Sequence, residues 1–288
     1  MKKVVIITGP TAVGKTDISI KLAKYYNAEI INADASQFRK HLNIGTAKIT
    51  KEEMDGVKHH LIDIIEPTED FSIKDFQEQG RSLINQIDRP FVVGGSGLYI
   101  NALIQDYNLE AKSRDESVFD DLSNDELHEM LASLDKVASE KIHKNNRRRV
   151  IRYIELIKEQ GSVVVKEPVF IYDVLVITLS RDREVLYDRI NKRFDKMIDD
   201  GFLDECISLK NQNIDLSKIK DIGYKEAGLY LNHQISFDEF KEMVKQNTRH
   251  LAKKQLTWFR NKLNCVLIDL DKISFEEILE IINNFYKN

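Results

Sequence analysis

Residues 4–16 read VVIITGPTAVGKT, and this stretch decides the fold. Its first four residues are β-branched and continuously apolar, which predicts a strand buried on both faces of a parallel sheet. The eight residues from Gly9 to Thr16 match the pattern G-x-x-x-x-G-K-[ST] in full, and a helical pattern follows from Lys15 to Tyr26. A strand, this turn and a helix in that order predict a P-loop protein of the α/β class.

The glycine-rich turn predicts a site for a phosphate or a pyrophosphate. Its glycines let consecutive backbone N–H groups point into one concavity, and the start of the helix adds a partial positive charge. Lys15 supplies a cation for the terminal phosphate, and Thr16 supplies a hydroxyl ligand for Mg²⁺. The predicted contacts are Gly9, Pro10, Thr11, Ala12, Val13, Gly14, Lys15 and Thr16. A glycine turn with a purely structural role is the alternative, which the strand–helix context disfavours.

Strands and helices alternate outward from this turn. Further strands are predicted at 29–32, 91–95, 174–179 and 266–269, and helices at 72–87, 182–210, 236–262 and 274–286. This alternation predicts a parallel sheet with helices on both faces. Residues 108–171 break the rhythm, with a weak strand pattern at 162–166 and otherwise short helical patterns. We interpret them as an inserted, mainly helical subdomain between the core segments 1–107 and 172–288.

Composition excludes several classes of protein. The chain has 288 residues, of which 42% are hydrophobic and 31% charged, so it can bury a core in one or two domains. Cys206 and Cys265 lie far apart, which excludes a disulfide scaffold and a zinc ribbon. No apolar run approaches the roughly 20 residues of a membrane helix, and the run that begins at Val4 is too short for a secretion signal. We therefore expect a cytoplasmic monomer with no membrane partner.

The charges are unevenly distributed along the chain. The net charge is -4, but residues 241–262 carry seven basic residues and one acid, and residues 141–166 carry eight basic residues and two acids. Residues 105–140, in contrast, carry eleven acids and three bases. One such run is usually a solvated face, but two basic stretches in an acidic protein favour a polyanionic partner.

Asp34 is a second candidate for chemistry. It follows the strand predicted at 29–32, and open α/β sheets place their reactive groups just past the carboxyl ends of strands. Capping of a local turn is the alternative role for this residue. The strand at 91–95 runs into glycines without the carboxylate that ATPases usually place there, and Asp63 is the alternative carboxylate.

Seven further segments complete a set of motifs that covers nearly the whole chain. They are Asn32–Gln37, Asn43–Lys48, His59–Asp63, Val93–Tyr99, Asn146–Arg152, Ile222–Lys225 and Thr248–Arg260. With the P-loop, and in this order, they resemble the motifs of the bacterial tRNA dimethylallyltransferases, also called isopentenyl-pyrophosphate:tRNA transferases. That family usually has Asp-Ser-Met-Gln where this chain has Asp34-Ala35-Ser36-Gln37, and Gly-Gly-Thr where this chain has Ser96.

The resemblance implies transfer of a dimethylallyl group from dimethylallyl pyrophosphate to N6 of adenine 37, next to the anticodon of a tRNA. The products would be N6-isopentenyladenosine and pyrophosphate. Asp34 would be the general base, because an exocyclic amine is a poor nucleophile until its proton is taken. Lys15, Thr16 with Mg²⁺, Arg189 and Arg193 would stabilise the leaving pyrophosphate, with Arg189 ranked slightly ahead of Arg193.

The resemblance and the basic stretches together suggest the surface that binds the tRNA anticodon stem-loop. Proteins that read RNA hold the strand with basic side chains and stack bases on aromatic or guanidinium planes. The predicted tRNA contacts are Asp34, Ala35, Ser36, Gln37, Ser96, Arg148, Arg149, Arg152, Lys253, Lys254, Trp258 and Arg260. For Trp258 and Phe259, an ordinary place in the core is an equally weighted alternative.

Two other functions compete with this interpretation. A P-loop small-molecule kinase, acting on a nucleotide or nucleoside, would also have a phosphate loop, an inserted lid and arginines on a late helix. It would require ATP and have no use for a basic C-terminal helix. A non-catalytic RNA-binding module would bind tRNA even without Asp34 and would show no turnover.

Overall fold

The structure is a computed structural model that describes residues 1–106, 116–160 and 169–288. The chain divides into two compact units, a larger one of Met1–Tyr107 with Val169–Asn288 and a smaller one of Asn108–Pro168. A bridge between Gln105 and Phe170 lies within the larger unit. The weak strand pattern at 162–166 lies outside the described residues.

The larger unit is built on a six-stranded parallel sheet. Its strands are β1 (Lys3–Thr8), β2 (Glu29–Asn32), β3 (His59–His60), β4 (Pro90–Gly94), β5 (Asp173–Ser180) and β6 (Val266–Asp269). Their order across the sheet is β3-β2-β4-β1-β5-β6, and the register pairs Val5 with Phe91 on one side and with Leu175 on the other. The predicted α/β class and parallel sheet are confirmed.

Helices connect the strands and also build the smaller unit. The larger unit contains α1 (Lys15–Tyr26), α2 (Lys51–Met54), α3 (Ile73–Gln86) and α4 (Gly97–Ile104). The smaller unit contains α5 (Asn124–Leu134), α6 (Lys136–Lys141) and α7 (Arg147–Gln160). The larger unit continues with α8 (Arg183–Asp199), α9 (Phe202–Asn211), α10 (Tyr224–Leu231), α11 (Phe237–Lys262) and α12 (Phe275–Lys287). No helix in the described part of the chain is long and apolar enough to cross a membrane.

Apolar side chains cover both faces of the sheet. Val5 and Ile7 belong to a cluster with α1, α8 and α12, whereas Val4 and Ile6 belong to a cluster with α3, α4 and the end of α11. Successive side chains of a strand point to opposite faces, so the two clusters lie on opposite sides of the sheet. A third cluster joins α8, α9, α10 and α11. The smaller unit has its own core, made by α5, α6 and α7.

The single helix predicted at 182–210 is wrong, because the chain forms α8 and α9 instead. Gly201 separates them with a φ of 98°, a left-handed conformation that costs glycine little and other residues more. The apolar periodicity continues across this break, which is why the pattern looked like one helix. The two-residue strand β3 and the short helices α4 and α10 were also missed, since each is too short for a clear period.

The carboxyl ends of three neighbouring strands gather the residues of interest. Gly9 follows β1, Asp34 lies just past β2, and Ser96 lies just past β4. The backbone segments after β2 and at the end of β4 approach closely. A Cβ on Gly94 would lie 2.2 Å from the carbonyl carbon and oxygen of Ala33. This approach requires glycine and sets the position of Asp34 relative to the Gly9–Thr16 turn.

Gly94→Ala is therefore expected to destabilise the larger unit. The added methyl group must push the backbone of β2 away, and overpacking of this kind typically costs about 1–3 kcal/mol. Urea unfolding followed by circular dichroism measures the loss. Gly228→Ala is the matched control, because its Cβ would meet Leu216 Cβ at an ordinary 3.4 Å and alanine favours a helix. Equal stabilities of the two variants would contradict the close approach.

Candidate active site

The Gly9–Thr16 turn, here called the glycine loop, encloses the ammonium group of Lys15. Lys15 Nζ donates hydrogen bonds to the carbonyl oxygens of Gly9 and Pro10, both at 3.0 Å. Gly9 and Gly14 have φ values of 143° and 110°, and Ala12 adopts a left-handed φ of 63°. These backbone conformations fold the loop over the start of α1, as the sequence pattern predicts.

Four side chains from distant parts of the chain hold the glycine loop from outside. Three of them are arginines, and two of these donate to loop carbonyl oxygens. Arg181 Nε donates to Val13 O at 3.0 Å, and Arg189 Nε donates to Ala12 O at 2.9 Å. Arg193 Nη2 donates to Thr11 Oγ1 at 2.6 Å, and Gln255 Oε1 accepts the Thr11 N–H at 2.9 Å. Positive charge from α1, from α8 and from Arg181, in the turn between β5 and α8, thus surrounds the loop.

Burial alters the pKa values of two of these cations, and neighbouring charges modify the effect. Burial lowers the pKa of Lys15 to about 8, the negative charge of Asp34 opposes this shift, and Arg193 adds to it. Burial also lowers the pKa of Arg193, against the same opposing charge of Asp34. Asp34 offsets these positive charges only in part, so the loop keeps an excess of positive charge, which is the electrostatic setting of an anion-binding site.

Asp34 caps the short 3-10 turn Ala35–Phe38, so it has the capping role that the sequence analysis gave as the alternative. Its Oδ1 accepts the Ser36 N–H at 3.2 Å. Asn32 Oδ1 accepts the Asp34 N–H at 3.0 Å, and Ser96 Oγ accepts the Ala35 N–H at 3.2 Å. Capping fixes the carboxylate without hiding it, because Asp34 is half-buried and lines the cavities beside the glycine loop.

Two cavities meet at Asp34. The cationic cavity has a volume of about 490 Å³, and its basic lining residues are Lys15, Arg189, Lys192, Arg193 and Lys196. The second, which we call the apolar-walled cavity, has a volume of about 270 Å³, and its apolar lining residues are Ile190, Phe194, Met197, Phe202, Ile222, Val244 and Leu251. Asp34 and Arg193 border both. One carboxylate therefore faces a place for an anion and a place for an apolar group.

The Asn43–Lys48 segment forms a further wall and is fixed by Glu205 of α9. The Glu205 carboxylate accepts the backbone N–H groups of Asn43, Ile44 and Gly45 at 2.8, 2.8 and 3.2 Å. At the other end of the segment, the buried Lys48 ammonium bonds to Asp63 Oδ1 at 2.5 Å. Asp63, the alternative carboxylate of the sequence analysis, is thus paired with a lysine.

Comparison with known proteins identifies the family. A family model described as IPP transferase matches residues 37–262. The chain is 44% identical to a tRNA dimethylallyltransferase of Halalkalibacterium halodurans, over 99% of this chain and 96% of that protein. It is 43% identical to one of Staphylococcus saprophyticus, over 96% and 94%. The chain belongs to the IPP transferase family. The family resemblance inferred from the motifs is confirmed.

Solved structures of the family have the same fold. A full-length tRNA isopentenylpyrophosphate transferase of Bacillus halodurans has a TM-score of 0.76 at 44% identity, covering 100% of this chain and 96% of that one. A eukaryotic dimethylallyltransferase, described as acting on tRNA, has a TM-score of 0.88 at 27% identity, covering 100% and 80%. The fold is therefore retained in members that share only about a quarter of their residues with this chain.

The residues that the sequence analysis predicts to contact tRNA lie in both units. In the larger unit, Lys253, Lys254 and Arg260 are exposed on α11, and Trp258 is half-buried, with its ring packed on the backbone of Gly97. Phe259 is fully buried, so the core alternative is correct for that residue. In the smaller unit, Arg148 and Arg149 are exposed on α7, whereas Arg152 is half-buried and pairs with Glu155 at 3.4 Å.

The sequence analysis assigned no individual role to Gln255 or Glu205, although both position the site. Gln255 joins the glycine loop to the turn after β4, because its Nε2 donates to Gly95 O at 3.1 Å while its Oε1 accepts the Thr11 N–H. The sequence did offer a signal for Gln255. It lies three residues after Ala252 and four before Phe259, so it falls on the buried side of α11, where a polar residue is unusual. Glu205 carried no such signal, since an acid in the first turn of a helix is ordinary.

The oxygen donors near the glycine loop suit Mg²⁺, which prefers oxygen ligands and retains several waters. Thr16 is exposed at the start of α1, and the Asp34 carboxylate lines the same cavity. Among residues 1–106, 116–160 and 169–288, no group of three or more His, Cys, Asp or Glu side chains is arranged to hold a metal. This donor set fits an ion shared with a bound phosphate rather than one enclosed by protein.

The lowered pKa of Lys15 leads to a prediction about stability. A folded-state pKa of about 8, against an ordinary 10.5, means that protonated Lys15 destabilises the fold below pH 8. Lys15→Met removes this penalty, so the free energy of unfolding should rise by about 1–3 kcal/mol at pH 7. The advantage should shrink as the pH rises from 8 towards 10.5, because wild-type Lys15 then loses its proton.

Urea titrations of both proteins at several pH values measure this difference. Lys21→Met, at an exposed position of the same helix, is the control and should change the stability by less than about 0.5 kcal/mol. A Lys15→Met protein less stable than the wild type at pH 7 would show that the ammonium group is not strained by its burial.

Proposed function

We propose that the protein transfers the dimethylallyl group of dimethylallyl pyrophosphate to N6 of adenine 37 of a tRNA, releasing pyrophosphate. The observation that carries this proposal is the meeting of the cationic cavity and the apolar-walled cavity at Asp34. A reaction of this kind needs a site for an anionic leaving group, a site for a small hydrocarbon and a base between them. We expect the protein to act as a monomer in the cytoplasm.

The glycine loop would bind the pyrophosphate and stabilise it as it leaves. Negative charge grows on the leaving oxygen as the C–O bond breaks, so cations already aimed at that position lower the barrier. Lys15 and Arg193 have pKa values lowered by burial, and an entering anion would add negative charge to that of Asp34, which offsets theirs only in part. Mg²⁺, if held by Thr16 Oγ1 and the pyrophosphate oxygens, would further neutralise the leaving group.

Asp34 would be the base that takes the proton of the adenine amine. The N6–H proton moves to the carboxylate as N6 forms a bond to the allylic carbon and the C–O bond to pyrophosphate breaks. The cap from Ser36 and the contacts of Asn32 and Ser96 to the adjacent backbone hold the carboxylate in one orientation. The adenine would have to leave its base stack to reach a carboxylate that is half-buried.

A P-loop kinase remains the second candidate, because the glycine loop also suits a nucleoside triphosphate. Two observations favour the prenyl transfer. β4 ends at Gly94 and is followed by Gly95 and Ser96 instead of a carboxylate, and Asp63 is paired with Lys48. The apolar wall beside Asp34 also offers a hydrocarbon a place that a phosphoryl acceptor does not need.

One assay separates the candidate functions. Unmodified tRNA is incubated with labelled dimethylallyl pyrophosphate and Mg²⁺ in the absence of ATP. We expect label in the RNA, at N6 of a single adenine after digestion, and an equal amount of pyrophosphate. A requirement for ATP would favour the kinase, and tRNA binding without label would favour a non-catalytic module.

Asp34→Asn is expected to lower kcat by about 10²- to 10⁴-fold, since this is the usual contribution of a general base. The amide keeps the shape and the capping oxygen but cannot take the proton. Steady-state kinetics, with tRNA affinity measured by filter binding, separate the chemical step from binding, which should change little. Asp70→Asn, at a highly exposed acid, is the control. A kcat near the wild-type value would exclude Asp34 as the base.

Salt dependence tests the predicted RNA surfaces. Removal of Arg148 and Arg149 in one variant, or of Lys253 and Lys254 in another, should raise the KM for tRNA. Each lost phosphate contact should also reduce the slope of log affinity against log salt by roughly 0.7–0.9. The KM for dimethylallyl pyrophosphate should stay within about twofold, because the glycine loop is unchanged.

The control variant lacks Lys21 and Lys287, two exposed lysines of α1 and α12. It matches the loss of charge but leaves both predicted surfaces intact. An unchanged salt slope in both test variants, or an equal change in the control, would assign these basic residues to ordinary solvated faces.

A further inference from the structure

A second carboxylate, that of Asp221, lies in the same cavity as Asp34. Asp221 precedes α10 and lines the apolar-walled cavity. Its side chain is only 12% exposed, and burial raises its pKa, with the charge of Asp34 acting in the same direction. The proposed reaction uses one carboxylate as base, so the presence of the second needs a separate explanation.

Ser36 joins the two carboxylates. Its hydroxyl group donates to Asp221 Oδ1 at 2.5 Å, and its backbone N–H donates to Asp34 Oδ1 at 3.2 Å. One residue therefore holds Asp34 with its main chain while its own side chain is held by Asp221.

The other oxygen of Asp221 is poorly compensated. Within the described part of the chain, Asp221 Oδ2 is buried and has no hydrogen-bond partner. The nearest cation is Arg39, whose Nη1 lies 3.9 Å away, beyond hydrogen-bonding distance. A buried acceptor left in this state destabilises the fold, so its presence is not explained by stability.

We propose that Asp221 is a positioning residue that orients Asp34 through Ser36. This inference rests on the proposed function, in which Asp34 takes the proton of the adenine amine. The hydroxyl bond fixes the turn at Ser36, and the fixed N–H group then fixes the carboxylate of Asp34. Misplacement of a reacting group by about 1 Å can lower a rate by roughly 10²-fold. The bond between Ser36 and Asp221 can therefore affect the chemical step although Asp221 does not itself take the proton.

Three variants test the chain of contacts. Asp221→Leu removes the acceptor of the Ser36 hydroxyl, Ser36→Ala removes the donor, and Asp221→Asn keeps an oxygen acceptor while removing the charge. Asp88→Leu is the control. Asp88 is 97% exposed in the loop before β4, and so lies at the amino ends of the strands, whereas the site lies at their carboxyl ends. Each protein is assayed for kcat, for the KM of both substrates and for its melting temperature.

We expect Asp221→Leu and Ser36→Ala each to lower kcat by about 10- to 100-fold, with the KM for dimethylallyl pyrophosphate within about twofold. The double variant should be no slower than either single variant, since both remove the same contact. Asp221→Asn should retain kcat within about fivefold. The melting temperature of Asp221→Leu should stay close to that of the wild type, because loss of the 3.9 Å contact with Arg39 is offset by removal of a buried oxygen that has no hydrogen-bond partner among the described residues.

Several results would overturn the inference. They are a wild-type kcat in Asp221→Leu, losses that multiply in the double variant, an Asp221→Asn protein as slow as Asp221→Leu, or a kcat loss matched by a lower melting temperature. The last result would mean that Asp221 serves the fold. Absence of dimethylallyl transfer by the wild-type protein would instead overturn the proposed function, and this inference with it.

Discussion

The burial of one positive charge, the Lys15 ammonium group, is the constraint on which the rest of the site depends. It is held by two loop carbonyl oxygens, and Arg181, Arg189 and Arg193 bond to the same loop from outside. Burial lowers the pKa of Lys15 to about 8, and the positive charge of Arg193 adds to this shift against the opposing charge of Asp34. A dianionic group entering the loop would relieve the repulsion, so the free site is already arranged for its ligand.

Asp34 is the carboxylate that faces this group of cations. Its charge acts on Lys15, Arg193 and Asp221, and it borders both the cationic and the apolar-walled cavity. The parallel sheet makes this possible, because β1 and β2 end at the same edge and Gly94 lets the chains approach closely. In the proposed reaction the same geometry places the base, the hydrocarbon and the leaving group around one point.

Residues with local signals could be predicted from the sequence, and residues that act through distant contacts could not. The pattern of the glycine loop predicted a strand, a turn and a helix in that order, and the parallel sheet and α1 are confirmed. Arg189 and Arg193 were placed together by their i, i+4 spacing on α8, and both contact the loop. Gln255, Glu205 and Asp221 reach the site from α11, from α9 and from the turn before α10. Their partners lie more than 150 positions away along the chain, so no spacing reveals them.

The central claim is that burial destabilises the protonated form of Lys15 and that a bound anion stabilises it. An NMR titration of the Lys15 side chain tests this claim most directly. The Lys15 signal is assigned from its loss in Lys15→Arg, and its pKa is measured with and without pyrophosphate. We expect a pKa of about 8 in the free protein and an increase of at least about one unit when pyrophosphate binds. An ordinary pKa near 10.5 in the free protein, or no increase with saturating pyrophosphate, would contradict the account.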